Sequence, residues 1–265
     1  MQTIVITGST RGIGYGLADA FLDRGCSLMI SGRTQAGVDE AVTTLLRKHE
    51  GAAILGYPCD VARPEQVQTL WDVAIERFGR VDIWINNAGV GQPFGEIRQL
   101  PPEQLATPVQ TNILGTLYGS RVALNGMVEQ GFGALYNMEG LGSNGRKQPG
   151  LALYGATKYT VRYITEALAI ETKDTPIIVG ALSPGMVVTD ILLTPYEGRP
   201  DKWQKDKRVL NILCDRVETV APWLAKEILS NEKSGVRISW YRRGKLLRRF
   251  LAAPFRSRQI IDETR

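Results

Sequence analysis

Tyr154 and Lys158 stand four residues apart in the run Tyr154-Gly155-Ala156-Thr157-Lys158. On a helix that step brings both side chains to one face, one turn apart. A phenol alone, with a pKa near ~10, stays protonated at neutral pH. A neighbouring ammonium favours the phenolate, each unit of depression corresponding to ~1.36 kcal/mol. Such a pair can pass a proton to or from an alcohol or carbonyl oxygen near neutral pH. The same spacing also occurs on plain solvated helix faces, so its meaning depends on what surrounds it.

A second cluster lies at the start of the chain. Gly8, Gly12 and Gly14 punctuate Thr7-Gly8-Ser9-Thr10-Arg11-Gly12-Ile13-Gly14, between a strand-like and a helix-like run. Glycines there let the backbone turn tightly and approach a pyrophosphate, which the helix N-terminus stabilises. The spacing is G-x-x-x-G-x-G instead of the commoner G-x-G-x-x-G. The next strand-like run ends Ser31-Gly32-Arg33. An acidic residue ordinarily holds the ribose 2′-hydroxyl of NAD at that point. Arg33, helped by Arg11, suits a 2′-phosphate instead, so the expected cofactor is NADPH. Asp60-Val61 is expected near the adenine, and Asn86-Asn87-Ala88-Gly89 beneath the cofactor. Asn and Gly after a strand also serve simply as turn formers.

These groups need elements to hold them. Strand-like runs fall at roughly 2–7, 27–31, 53–57, 81–86, 133–138, 176–183 and 235–239, and helix-like runs at roughly 12–24, 35–49, 64–78, 103–130, 151–173 and 216–230. Regular alternation of the two argues for an α/β fold, a parallel sheet doubly wound with helices on both faces. No internal repeat or linker interrupts it, so residues 1–265 are expected to form one domain. The stretch 190–211, with Pro195, Gly198, Pro200 and many charges, breaks the alternation and reads as a long substrate loop.

Composition narrows the classes further. The 43% apolar content supports a sizeable core, and no run approaches the ~20 apolar residues of a membrane span. A strand-like run beginning at Gln2 leaves no secretory or transit segment expected ahead of it. Cys26, Cys59 and Cys214 are widely spaced with no CxxC, and His49 is the only histidine. Neither a disulfide framework nor a zinc site is indicated, a multi-histidine metal site is excluded, and a His-based triad is not the expected chemistry. The expected location is cytoplasmic, or peripheral to a membrane. Between Lys233 and Arg258 there are nine basic residues and no acidic ones, interleaved with Trp240, Tyr241, Phe250 and Phe255. Residues 240–265 therefore read as a basic amphipathic tail for an anionic membrane surface or a subunit contact, or as a solvated helix packed on the core. Nucleic acid is not the expected partner.

The combined motifs resemble the short-chain dehydrogenase/reductase family over nearly the whole chain. They are Thr7-Gly8-(x3)-Gly12-Ile13-Gly14, Asn86-Asn87-Ala88-Gly89, Asn112, Tyr154-(x3)-Lys158 and Pro184-Gly185-(x3)-Thr189. The resemblance implies a Rossmann-type sheet of about seven strands and a nicotinamide cofactor. It also implies a homodimer or homotetramer paired through long helices. Tyr154 becomes the general acid in reduction, Lys158 the holder of the nicotinamide ribose, and Asn112 the support of a water-linked proton relay. Pro184, Gly185, Val187 and Thr189 line the nicotinamide side. The family's catalytic serine stands about thirteen residues before the tyrosine, where this chain has Leu141. Ser143 is the nearest serine, with a water or Glu139 as alternatives.

That departure, in Asn137-Met138-Glu139-Gly140-Leu141-Gly142-Ser143, looks like the chlorophyll b reductase subfamily. So do Ser183-Pro184-Gly185-Met186-Val187-Val188-Thr189-Asp190-Ile191-Leu192-Leu193 and Asn211-Ile212-Leu213-Cys214-Asp215. The subfamily resemblance implies NADPH-dependent reduction of the 7-formyl group of chlorophyll b to 7-hydroxymethyl chlorophyll a. With the basic, aromatic tail nearby, such a hydrophobic substrate could be drawn from a photosynthetic membrane surface. Leu192, Leu193, Tyr196 and Trp203 would then cover a flat macrocycle. The rival readings are a carbonyl reductase for another lipophilic compound and a non-catalytic NADP(H)-binding scaffold.

Overall fold

The apolar runs become one seven-stranded sheet: β1 (Thr3–Ile6), β2 (Ser27–Gly32), β3 (Ile54–Pro58), β4 (Ile83–Asn86), β5 (Gly133–Met138), β6 (Ile177–Ser183) and β7 (Arg237–Ser239). The structure, a computed structural model, describes residues 1–241, 243–253 and 258–261. All neighbouring strands pair in parallel, in the order β3-β2-β1-β4-β5-β6-β7. Strands covered on both faces read as continuous apolar runs, because every side chain finds a core. Ile4 and Ile6 join one core with Leu17, Phe21 and Leu224 of α1 (Gly12–Leu22) and α9 (Val217–Leu229). Val5 joins the other with Leu70, Trp71 and Met127 of α3 (Pro64–Phe78) and α5 (Gly115–Gln130). This two-residue alternation sets the register, and truncating a buried leucine such as Leu70 to alanine costs roughly 2–5 kcal/mol.

The strand order reverses between β1 and β4, and such a switch point opens a crevice at the carboxyl ends of the strands. The remaining helices are α2 (Gln35–Lys48), α4 (Pro102–Pro108), α6 (Ala152–Glu171), α7 (Asp190–Leu193), α8 (Pro200–Leu213) and α10 (Arg243–Ala252).

Three segments differ from the sequence expectation. The single helix expected over 103–130 is divided: α4 gives way to a π-helical turn, Val109–Leu114, before α5 begins. Pro108 has no N–H to continue the ladder, and the wider turn follows it directly. The loop expected over 190–211 is largely helical, as α7, a short turn at Thr194–Tyr196, and α8. Its charges masked a stripe of Trp203 and Leu210 that packs against Cys214, Met186 and Ile261.

The C-terminal residues fold back onto the same segment. Buried Asp215 accepts hydrogen bonds from Trp240 Nε1 (2.6 Å), Arg249 Nη2 (2.7 Å) and Arg258 Nη2 (2.9 Å). Asn211 Oδ1 accepts from the backbone N–H groups of Ile260 and Ile261. Two of the tail's arginines are thus held by a buried carboxylate instead of facing a surface, while Phe250 and Leu251 stay exposed. Arg242, Phe255 and Arg256, part of the expected amphipathic pattern, lie outside the described residues.

Candidate active site

The crevice is built first by glycines. Gly8 and Gly12 adopt the left-handed conformation, with φ of 62° and 60°. A Cβ on Gly8 would lie 2.7 Å from Ala88 Cα, and one on Gly14 would lie 2.4 Å from Asn87 Nδ2. Only backbone this bare lets the β1–α1 turn lie against the β4 loop. Asn87 completes the joint: its Nδ2 donates to Thr7 O (2.9 Å) and Gly8 O (2.8 Å). Thr7 Oγ1 accepts from the N–H groups of Asn87 and Ala88. Ser9 is fully buried and locks the turn to β2, accepting from Ser31 N–H at 3.0 Å and donating to Ile6 O at 2.7 Å. Thr10 packs against Gly32, and Ile13 against the core of the α1 face. The open turn at the N-terminus of α1 fits the pyrophosphate of a nicotinamide dinucleotide.

Arg33 is exposed just past β2. Arg11 is also exposed, with its guanidinium 3.1 Å from the Asp190 carboxylate. Asp60 caps its own turn, accepting from Ala62 N–H. Val61 directs its side chain at Gly115 of α5, so only its backbone remains for the adenine side. Thr189 faces Gly12, 3.5 Å from where a Cβ would sit, and Gly185 turns at φ 77° beneath the Tyr241 ring. Pro184 and Val187 flank that turn, with Val187 bridged to Asp215.

Tyr154 and Lys158 share one face of α6, as the spacing required. Lys158 is buried and its Nζ donates to Met138 O at 3.0 Å. A Cβ on Gly89 would lie 3.5 Å from that ammonium and 3.3 Å from Asn112 Oδ1, so the glycine keeps the space above Lys158 open. Burial lowers the Lys158 pKa to about 8, and the Glu139 carboxylate opposes that fall. Tyr154 departs from expectation. Burial pushes its pKa up to about 12, and Lys158 does not offset it, so the phenol stays protonated at neutral pH. That is the form a proton donor needs.

Asn112 lies in the π-helical turn and is fully buried. Its Oδ1 accepts from Val90 N–H (2.8 Å), and its Nδ2 donates to Val90 O and to Thr157 Oγ1 (3.0 Å each). Wider turns of this kind recur at functional sites because they re-aim one side chain. A second polar net ties the strand ends together: Asn86 Nδ2 donates to Asn137 Oδ1 (2.8 Å), and Asn137 Nδ2 to Thr165 Oγ1 (3.0 Å).

At the end of β5, the residue facing the Tyr154 hydroxyl is Gly140, whose Cβ would sit 2.5 Å from it. Ser143 is buried and its hydroxyl donates to Glu139 Oε2 at 3.0 Å. Arg237 Nε donates to the same oxygen at 2.8 Å, while Oε1 has no partner. Of the residues expected to cover a substrate, Leu192, Tyr196 and Trp203 pack in the cluster beneath α8, and Leu193 is partly exposed beside them. Tyr196 stacks edge-on between Phe94 (5.2 Å) and Trp203 (5.4 Å).

Sequence reasoning missed Gln92 and Arg237. Gln92 is 3% exposed and accepts the Tyr154 N–H through its Oε1 at 2.6 Å. A signal existed: Leu151, at the start of α6, has no side chain able to cap a helix.

The comparisons with known proteins follow the same ground. The family model described as short chain dehydrogenase matches residues 2–198. A probable chloroplastic chlorophyll(ide) b reductase of Arabidopsis thaliana is 32% identical over 274 residues, covering 92% of this chain and 54% of that protein. A second chloroplastic chlorophyll(ide) b reductase of that plant is 37% identical over 237 residues, covering 88% of this chain and 66% of the relative. The chain thus spans about half the length of the first relative. Among solved structures, a 3-ketoacyl-(acyl-carrier-protein) reductase from Brucella melitensis complexed with NADH superposes with a TM-score of 0.78 at 27% identity, covering 90% of this chain and 96% of its own. Among the described residues, no helix is long and apolar enough to cross a membrane. A match that runs through every strand from β1 to β6, on a sheet whose crevice gathers these residues, makes the chain a member of the short-chain dehydrogenase/reductase family.

Proposed function

We propose that the chain is an NADPH-dependent reductase that converts the formyl group of chlorophyll(ide) b to a hydroxymethyl group. The chemistry rests on one observation: the Tyr154 hydroxyl lies in the gap left by Gly140, one helical turn from a buried Lys158. The substrate class rests on the likeness to relatives named as chlorophyll(ide) b reductases. When bound, NADPH supplies the hydride.

The chain's own residues do the rest. The Gly8–Gly14 turn takes the pyrophosphate, and Arg33 the 2′-phosphate. Thr189 and the 184–187 turn hold the nicotinamide end, and Lys158 its ribose. Tyr154 gives its proton to the carbonyl oxygen as charge develops there. Asn112 holds the Val90 backbone and Thr157 so that Lys158 keeps its place on the proton path. Exposed Leu117 and Val128 on α5, with Tyr159, Tyr163 and Ile170 on α6, favour assembly into dimers or tetramers through those helices.

Tyr154→Phe is the test. It should bind NADPH within about two-fold of the parent and lose turnover by roughly 10²–10⁴-fold. Turnover retained by the phenylalanine variant would remove Tyr154 from the chemistry. A second reading, a carbonyl reductase for a smaller lipophilic aldehyde or ketone, is favoured by the packing of Leu192, Tyr196 and Trp203 against the Leu210, Cys214 and Ile261 cluster. Rates with chlorophyllide b against simple aromatic aldehydes separate the two.

A further inference from the structure

The first turn of α6 carries Tyr154 and starts without a cap of its own. Leu151 at the N-cap position makes no side-chain hydrogen bond. The first N–H groups of a helix have no partner within it, so a buried helix start needs donors satisfied from outside. Gln92, distant in sequence, reaches across to the N–H of Tyr154 itself at 2.6 Å. Its Nε2 donates to Gly150 O at 3.0 Å, immediately ahead of the helix. Both ends of the amide are fixed by their partners: an N–H can only donate and a carbonyl can only accept. At 3% exposure, water does not compete for either bond.

We infer that Gln92 is a positioning residue for Tyr154, the side-chain cap through which the loop after β4 sets where the phenol stands. That loop touches the cofactor turn, the π-helical turn, the start of α6 and the segment leading into α8. Its start, Asn87 and Ala88, is bonded to the cofactor turn. Val90 is held at both N–H and C=O by Asn112, which also binds Thr157 one turn along α6 from Gln92's contact. Beyond Gln92, the Phe94 carbonyl accepts from Arg199 Nη2 at 2.6 Å, and the Phe94 ring meets Tyr196 and lies under Lys202 Nζ at 4.4 Å. Gly95 N–H donates to the same Gly150 carbonyl as Gln92. A shift of the α7–α8 segment on its substrate therefore pulls on Phe94, and the Gln92 amide passes the pull to the backbone of Tyr154. Placement of a proton donor is worth much, since a ~1 Å error costs on the order of 10²-fold.

The catalytic half of this inference rests on Tyr154 being the proton donor; the helix-capping half does not. The test compares Gln92→Met, which keeps the shape and removes both polar ends, with Gln92→Glu. Glutamate in either protonation state keeps an acceptor for the Tyr154 N–H. Two quantities are read in the full chain: hydrogen exchange of the Tyr154 amide, and kcat, KM and NADPH affinity with an aldehyde substrate. In the parent the Tyr154 amide is protected. Gln92→Met should speed its exchange by about ten-fold or more and lower kcat by roughly 10–100-fold, with NADPH affinity within about two-fold. Gln92→Glu should keep the protection and recover most of kcat. The inference is overturned if Gln92→Met leaves the amide protected, or frees it with kcat unchanged. Equal loss of kcat in a glutamate variant that stays protected also overturns it. A parent with no aldehyde turnover would instead count against the proposed function, while the exchange data still decide the cap.

Discussion

Gly140→Ala puts the geometry of the site to a quantitative test. Gly140 lies where β5 runs out, and its Cβ would stand 2.5 Å from the Tyr154 hydroxyl and 3.1 Å from Lys158 Cγ. Its φ is not left-handed, so alanine meets no backbone strain there and the whole effect falls on the two side chains. Ordinary contact begins near 3.4 Å, so the phenol must withdraw by roughly 1 Å. A displacement of that size at a proton donor corresponds to about 10²-fold in rate, near 2.7 kcal/mol at ~1.36 kcal/mol per tenfold. Overpacking itself costs about 1–3 kcal/mol of stability, a melting shift of roughly 2–12 °C. The assay is single-turnover oxidation of bound NADPH by an aldehyde, beside NADPH binding followed by fluorescence and a thermal melt. The expected result is a hundred-fold slower chemical step with cofactor affinity within about three-fold. A variant that reacts within three-fold of the parent would show that Tyr154 does not work from the gap at Gly140.

Other outcomes follow from the same geometry. Glu139→Gln removes the buried negative charge that opposes the fall of the Lys158 pKa to about 8. The ammonium is present below its pKa and lost above it, so the alkaline limb of reduction should move to lower pH, by about one unit; a pH–rate profile superposable on the parent's would contradict this. Arg33→Ala should weaken NADPH binding by roughly 10–100-fold and leave NADH affinity nearly unchanged, as read by paired titrations. Asp215→Asn leaves Arg249 and Arg258 without their carboxylate and should cost about 3 kcal/mol, a fall in melting temperature of roughly 6–12 °C by calorimetry.

How far the sequence could lead is visible residue by residue. The central strands β1, β2 and β4 were legible because both of their faces are covered, so burial wrote largely apolar runs. The crevice was legible because Gly8 and Gly14 leave no room for a side chain, and only glycine fits. The shared face of Tyr154 and Lys158 followed from helical spacing alone. Their electrostatics did not: the phenol was expected to be lowered by its neighbour, whereas burial raises it. Charge distances and desolvation depend on tertiary packing, which spacing does not encode. The same limit hid α8, whose apolar stripe is narrow and whose partners, Met186 and Ile261, lie far away in sequence. The uncapped start of α6 at Leu151 was a signal that a cap was needed, but not that Gln92, on another element, supplies it. The partner of the Ser143 hydroxyl, Glu139 Oε2, was not legible either, since it depends on how the loop after β5 folds.

The central claim is that this site delivers a hydride and the Tyr154 proton to the formyl group of a chlorophyll b pigment. The most direct measurement follows the pigment spectrum of chlorophyllide b and the absorbance of NADPH together, in one cuvette with the purified chain. The account predicts that the formyl-pigment bands give way to those of the hydroxymethyl product, one pigment converted for each NADPH consumed. NADPH consumption with simple aldehydes beside an unchanged pigment spectrum would contradict it.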